Sequence, residues 1–324
     1  MKVLYGYKNL QKKLKDPVAA IGIFDGIHLG HKRVIKKVLN LREPGRDKII
    51  ITFEPHPRSI LHPEKPPLRI MSLEHRLLIL KKMGLDAVVI IRFTDFIASL
   101  SPEEFVKKIL LGMNVKKIFV GNNFHFGHGK SGNISSFQTI GEECGIDVKI
   151  VKPVKKRGKI VSSSWLRKLI TDGNIKKAEN LLRRPVSILG TVVSGDKRGK
   201  SYGIPTANID PHQEVIPPPG VYAVKADIDG KLFDGVLNIG FRPTFYGRKL
   251  KQRKEPQIEV HLTDFKGYLY DKSMEIFFLK KLRREKRFKN EIKLKRQIEK
   301  DIKRSNKILA SPMIAKKILK YKPL

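Results

Sequence analysis

Two short stretches hold most of the residues able to do chemistry. The first is Gly22-Ile23-Phe24-Asp25-Gly26-Ile27-His28-Leu29-Gly30-His31. Its two histidines, three residues apart, project to the same side of a turn. Glycines at Gly26 and Gly30 let a backbone approach a nucleotide closely. At the start of a helix this segment would offer unpaired N–H groups and partial positive charge, both suited to phosphate. The imidazoles would then stabilise negative charge as an α-phosphate is attacked. A zinc site is the competing reading of the pair, but no further ligand cluster of suitable spacing accompanies it. The second stretch runs Gly195-Asp196-Lys197-Arg198-Gly199-Lys200-Ser201-Tyr202-Gly203 and continues as Ile204-Pro205-Thr206-Ala207-Asn208. It is not a P-loop, which needs four residues between its glycines where Gly195 and Gly199 enclose fewer. A basic, Gly-rich loop can still cradle phosphates through backbone N–H groups. Thr206 and Asn208 carry hard oxygen donors suited to Mg²⁺ bridging those phosphates.

The elements around these stretches differ between the two halves. Val18 to Phe24 is a short, nearly all-apolar run, as expected of a buried parallel strand. A helical pattern follows from about Gly30 to Leu41, which puts the first stretch at the carboxyl end of a strand, where α/β sheets bind ligands. Strands are expected at Lys48 to Phe53, Asp86 to Ile91, Lys117 to Val120 and Val148 to Val151. Ser72 to Met83 reads as a helix with Leu73, Leu77 and Leu80 on one face. Ser101-Pro102-Glu103-Glu104 forms a capping box that opens another. Alternating strands and helices imply a parallel sheet covered on both faces.

Two short helical stretches, Trp165 to Thr171 and Ile175 to Leu182, precede a change of character. Beyond Pro185 come short strand-like runs at Val186 to Val193, Val221 to Ile228, Phe233 to Ile239, Gln257 to Leu262 and Met274 to Leu279. These predict an antiparallel sheet or small barrel. A polar helix is expected from about Lys289 to Arg304. The boundary falls near Leu182 to Pro185, giving domains of 1–183 and 184–324.

Composition narrows the class. Of 324 residues, 40% are hydrophobic, enough to build real cores. Cys144 is the sole cysteine, which excludes an intrachain disulfide and a cysteine metal site. No apolar run is long enough to span a membrane, and the first residues carry charge where a signal peptide needs an apolar stretch, so a cytoplasmic protein is expected. The formal net charge is +36, and the last 45 residues hold 18 basic against 4 acidic side chains. Nucleic-acid binding would use such charge, but no aromatic-rich RNA motif or zinc-finger spacing accompanies it. A positive field also speeds the encounter with anions such as ATP.

The residues quoted above carry a family resemblance. The H-x-G-H pattern after a first strand resembles the nucleotidyltransferase superfamily. Thr52-Phe53-Glu54-Pro55-His56-Pro57, Gly121-Asn122-Asn123-Phe124-His125-Phe126-Gly127 and Ser162-Ser163-Ser164-Trp165-Leu166-Arg167 resemble, in the same order, the adenylyltransferase half of the prokaryotic bifunctional riboflavin kinase/FAD synthetases. The second stretch with Pro-Thr-Ala-Asn, then Gly220-Val221-Tyr222, Asn238-Ile239-Gly240-Phe241 and Glu259-Val260-His261-Leu262, resembles the kinase half. Ile23, Trp165, Ser164 and Lys200 depart from the usual family residues.

The resemblance implies a Rossmann-like α/β nucleotidyltransferase domain followed by a small antiparallel β-barrel with a C-terminal helix. It implies ATP-dependent conversion of riboflavin to FMN, then of FMN and ATP to FAD and pyrophosphate, with Mg²⁺. Glu259 matches the catalytic base that takes the proton of the riboflavin 5′-hydroxyl. Ser162, Ser163, Ser164 and Arg167 match triphosphate contacts. Asn123 sits in a loop implicated in nucleotide or flavin binding, and Gly22, Phe24, Asp25, Gly195, Lys200 and Gly203 complete the nucleotide set. The partners implied are these small molecules. The alternatives are a kinase-only enzyme with a degenerate first domain, motivated by Ile23 and Trp165, and a nucleic-acid-binding regulator on the same scaffold, motivated by the charge.

Overall fold

The computed structural model describes residues 1–194, 203–212, 214–241 and 256–319. They form two compact units. One comprises Met1–Leu68 and Arg76–Ser163, the other Arg69–His75 and Ser164–Leu324.

The first unit is built on six strands, β1 (Lys2–Tyr5), β2 (Val18–Ile21), β3 (Lys48–Glu54), β4 (Ala87–Arg92), β5 (Lys117–Gly121) and β6 (Asp147–Val151). All pairings are parallel, in the order β1-β4-β3-β2-β5-β6. The expected apolar runs form these strands, and Ile49, Ile50, Ile51, Val88 and Val89 are wholly buried. Near-continuous apolar sequence is what a sheet covered on both faces demands. Helices α1 (Leu29–Leu39), α2 (Pro57–Leu61), α3 (Leu73–Lys81), α4 (Asp95–Ser99), α5 (Pro102–Phe105) and α6 (Ile134–Glu143) connect the strands. The capping box at Ser101 and Glu104 is present. The chain runs from β2 outward to β3 and β4, then returns to place β5 on the other side of β2. The β2/β5 gap is therefore the topological switch point, where open α/β sheets hold ligands.

The second unit is a closed barrel in the order β10-β13-β12-β11-β14-β9. Its strands are β9 (Val186–Val193), β10 (Ala207–Asp210), β11 (Gly220–Ile228), β12 (Lys231–Phe241), β13 (Pro256–Leu262) and β14 (Ser273–Arg283), with all pairings antiparallel. The first unit ends with a small hairpin, β7 (Lys155–Lys156) with β8 (Lys159–Ile160), and helices α7 (Ser163–Thr171) and α8 (Ile175–Leu182) lead into the barrel. The chain ends with α9 (Glu291–Leu309) and α10 (Pro312–Leu319). Leu309, Ile302 and Ile308 of α9 pack on Val221, Ala223 and Val236 on the outside of the barrel.

The elements not expected from sequence include β1, β10, α2, α4, α6, the β7–β8 hairpin and α10. β1 is a half-exposed edge strand and β10 has four residues, so neither shows a clear alternation. α10 carries only eight residues after Ser311. The buried face of α3 also differs from the leucine face: His75, Arg76, Ile79 and Leu80 are buried, while Leu73 and Leu77 are only partly so. Two ionisable side chains take core positions there because each is paired. Arg76 meets Glu54, and His75 meets two carboxylates described below. The strand expected from Val18 to Phe24 stops at Ile21, because Phe24 turns into the left-handed region at φ 54°.

Candidate active sites

In the first unit, the β2–α1 connection holds most of the first predicted set. Gly22 still donates to Ile51 in sheet fashion, at 3.1 Å. The chain then turns sharply, with positive φ at Phe24, Gly26 (88°) and Ile27 (43°). Only Gly26 tolerates this freely. Left-handed backbone at two larger residues is a strain that surrounding contacts must hold, and such strain gathers at functional sites. Phe24, Asp25 and His28 are buried.

His28 is the N-cap of α1, and its Nδ1 accepts from the backbone N–H of His31 at 3.3 Å. The two imidazoles stack, with centroids 3.7 Å apart and planes 15° from parallel. Phe24 meets His31 edge-on at 5.3 Å. Gly30 leaves room for this stack: a Cβ there would lie 3.0 Å from His28 Cε1 and 3.2 Å from its Nδ1, so the ring would have to give way by a few tenths of an ångström. The space freed by Gly30 is thus taken by the His28 ring.

Burial pushes the His28 pKa down to about 4, against a smaller opposing backbone hydrogen bond. Burial, then the charge His28 would carry when protonated and that of Arg76, hold His31 well below the usual imidazole range. Both rings are therefore neutral at pH 7. The Nδ1 of His31 is buried without a hydrogen-bond partner among the described residues, a polar atom available to a bound anion's oxygen through its N–H tautomer.

Ser163 joins this loop by donating its hydroxyl to the Asp25 carbonyl at 2.8 Å. Asn123 follows the end of β5, across the switch point, and is exposed; its carbonyl lies 3.1 Å from His125 Nδ1. Ser162 immediately precedes α7, whereas Ser164 and Arg167 lie on α7 among the residues of the second unit. The chain reading missed Arg76 and the role of Glu54. Arg76, on α3, donates to Glu54 Oε2 and to the Ile23 carbonyl, both at 2.6 Å. The signal available was an arginine at a position that helical period sends inward, which the more conspicuous leucines obscured.

The second unit has a cavity of about 560 Å³ between the outside of the barrel and α9. Thr206, Asn208 and Glu259 all line it. Period two explains the placement. On β13, Ile258, Val260 and Leu262 point into the barrel core and are buried, so Gln257, Glu259 and His261 point out to the cavity. Glu259 stands opposite Asn208 on one side and Asn238 on the other. Gln257 Nε2 donates to Asn208 Oδ1 at 3.0 Å, and His261 Nδ1 lies 2.8 Å from the Pro205 carbonyl. Deeper in the cavity, Arg283 forks onto Asp301 of α9 with two contacts of 2.8 Å.

Gly203 precedes β10 at φ 71° and does not line the cavity. Gly195 and Lys200 lie outside the described residues. Sequence reading quoted Asn238 only within a motif and missed Gln257 and the Arg283–Asp301 pair, since these depend on strand register and on the packing of α9 rather than on a local pattern. Among the described residues, no cluster of three or more His, Cys, Asp or Glu could hold a metal.

Two families match this chain, FAD synthetase over residues 10–165 and riboflavin kinase over residues 182–309. A bifunctional riboflavin kinase/FMN adenylyltransferase of Bacillus subtilis is 37% identical over 88% of this chain and 90% of its own length. The protein of the same name from Escherichia coli K12 is 36% identical over 93% of this chain and 96% of its own. Among solved structures, a macrolide-efflux protein from Streptococcus pneumoniae matches with a TM-score of 0.80 at 28% identity, covering 94% of this chain and 99% of that one. Among the described residues, no helix is long and apolar enough to cross a membrane.

Proposed function

We infer the division of labour from one premise: this chain belongs to the bifunctional riboflavin kinase/FMN adenylyltransferase family. It phosphorylates riboflavin to FMN with ATP, and adenylylates FMN to FAD with release of pyrophosphate. Both domains are present, which favours this reading over a kinase alone or a nucleic-acid-binding regulator. The adenylyltransferase is assigned to residues 1–183 and the kinase to 184–324. ATP as co-substrate of both steps supports action in the cytoplasm.

For the kinase step, Glu259 is assigned as the general base. The observation that carries this is its place in the cavity beside Thr206 and Asn208. It would take the proton of the riboflavin 5′-hydroxyl as that oxygen attacks the γ-phosphate, with ADP leaving. The donor set fits a hard divalent cation held largely by phosphate: two neutral oxygens, one already accepting from Gln257, leave most coordination positions to phosphate and water. Thr206 and Asn208 would hold Mg²⁺, which supplies charge neutralisation at the transferring phosphoryl group. The Gly195–Gly203 loop, with Lys200, is assigned to the nucleotide phosphates.

For the adenylyl step, the FMN phosphate attacks the α-phosphate of ATP directly. His28 and His31, neutral and stacked, are assigned to the developing charge, as N–H donors. Gly22, Phe24, Asp25, Gly26 and Gly30 shape the loop that carries them. Ser162, Ser163, Ser164, Arg167 and Asn123 are assigned to nucleotide binding on the sequence resemblance. The test is chromatographic: purified protein with riboflavin, ATP and Mg²⁺ should give FMN first and FAD later. FMN without FAD would refute the adenylyltransferase, and no turnover would refute both.

A further inference from the structure

The adenylyl-transfer loop has a clamp beneath it. Arg76 is almost fully buried, at 4% exposure. Its guanidinium donates from Nη2 to Glu54 Oε2 and from Nη1 to the Ile23 carbonyl, each at 2.6 Å. Thr52 Oγ1 donates to the same carbonyl at 3.3 Å. A backbone oxygen taking two side-chain donors is fixed in direction, and this one immediately precedes Phe24. The peptide plane it belongs to sets the left-handed turn of Phe24, whose ring is the edge against His31. The contacts form one chain: Glu54 orients Arg76, Arg76 holds Ile23, Ile23 sets Phe24, and Phe24 walls the histidine stack.

We propose that Arg76 is a positioning residue for FMN adenylylation, holding the Ile23 carbonyl so that the strained loop presents the His28–His31 pair to the nucleotide. The proposal rests on the assignment of that pair to adenylyl transfer. A planar fork suits the task because it bonds the carboxylate and the carbonyl at once, whereas a lysine serves one at a time. The Glu54 pairing keeps a buried cation compensated while the second bond is made.

The test measures both activities of one preparation. In Arg76→Met, kcat for FMN adenylylation should fall by about 10²-fold, the scale of a misplaced catalytic group. KM for FMN and riboflavin phosphorylation should stay within about twofold of wild type, since a general loosening would move all three. Arg76→Lys should restore about tenfold of the loss by keeping one bond. Thr52→Val, which removes only the longer bond to the same carbonyl, should cost a few-fold, on the scale of a single neutral hydrogen bond. Wild-type kcat and KM in Arg76→Met overturn the proposal. If Arg76→Met does not fold, wild-type adenylylation by both Arg76→Lys and Thr52→Val overturns it. His31→Asn, run in parallel, separates the two ideas. Full adenylylation by His31→Asn would remove the assignment of the histidines, whereas an inactive His31→Asn beside a fully active Arg76→Met would remove the clamp alone.

Discussion

Asn208 lies directly across the β10–β13 ladder from Glu259, so the assigned metal donor and the assigned base are held by the same backbone hydrogen bonds. Their separation is set by sheet register rather than by loop conformation. Glu259→Gln preserves the shape of the cavity and removes the base. Riboflavin phosphorylation should fall by about 10²–10⁴-fold, with FMN adenylylation retained. Separate assays of FMN from riboflavin and of FAD from supplied FMN check this. Normal phosphorylation would remove Glu259 from its role.

Thr206→Val keeps the size of the side chain and removes its oxygen. If that oxygen holds Mg²⁺, the kinase should need several-fold more Mg²⁺ for half-maximal rate, while the adenylyl step keeps its wild-type Mg²⁺ curve. Identical curves for variant and wild type in the kinase assay would exclude Thr206 as a ligand.

Gly30→Ala sets two effects against each other. Alanine in a helix is favoured over glycine by about 1 kcal/mol. The added Cβ would press on the His28 ring at 3.0 Å. The expected variant is no less stable to urea than wild type, yet slower in FMN adenylylation by about tenfold or more. A variant with unchanged adenylylation would show that the histidine stack is not needed in this geometry.

Burial holds His28 at about 4, below its ordinary 6.5. Between those values the unfolded chain binds the proton and the folded chain does not. Stability from a neutral His28 is therefore complete above pH 6.5 and drains as pH falls towards 4, by on the order of 3 kcal/mol in full. Urea unfolding of wild type and His28→Asn should diverge least near pH 4.5 and most near pH 7. A pH-independent difference would contradict the neutral, buried state.

In the second unit, His75 has the opposite sign. It bridges Glu214, whose Oε2 lies 3.0 Å from Nδ1, and Glu275, whose Oε1 lies 3.2 Å from Nε2, and all three are buried. Burial alone would lower its pKa. The charges of and hydrogen bonds to Glu214 and Glu275 outweigh burial, and the net shift is upward. The stabilisation is present below pH 6.5 and is lost as pH rises through the raised value. His75→Leu leaves two carboxylates without their cation and should cost about 3–5 kcal/mol at pH 7. The cost should be no smaller at pH 5, where the imidazolium keeps its proton. Thermal melts at the two pH values decide it.

The sheet and the barrel were legible because they follow local rules, whereas Glu259 was singled out only by the family resemblance. Apolar runs mark buried strands, and the basic Gly-rich sequence followed by Pro-Thr-Ala-Asn is contiguous in the chain. Arg76 was not legible, because its value lies in reaching Ile23, 53 positions earlier. Nor was His75, whose partners lie 139 and 200 positions away. A polar residue on the inward side of a helix announces that it is compensated, but sequence does not say by what. Gln257 and Asn238 required the register of three strands before their relation to Asn208 and Glu259 could be drawn.

Residues 69–75 belong to the second unit although some ninety residues of the first follow them in the chain. Ser72 donates to Glu214 at 2.7 Å, and Val215 donates to the Arg69 carbonyl at 2.6 Å, so the segment is stitched in by backbone as well as by His75. A single crossover at codon 184 would transmit the barrel strands without that segment, and with them Glu214 and Glu275 without the imidazole they share. Genes exchanging this half intact would have to exchange codons 69 to 75 as well, which binds the two halves into one heritable piece.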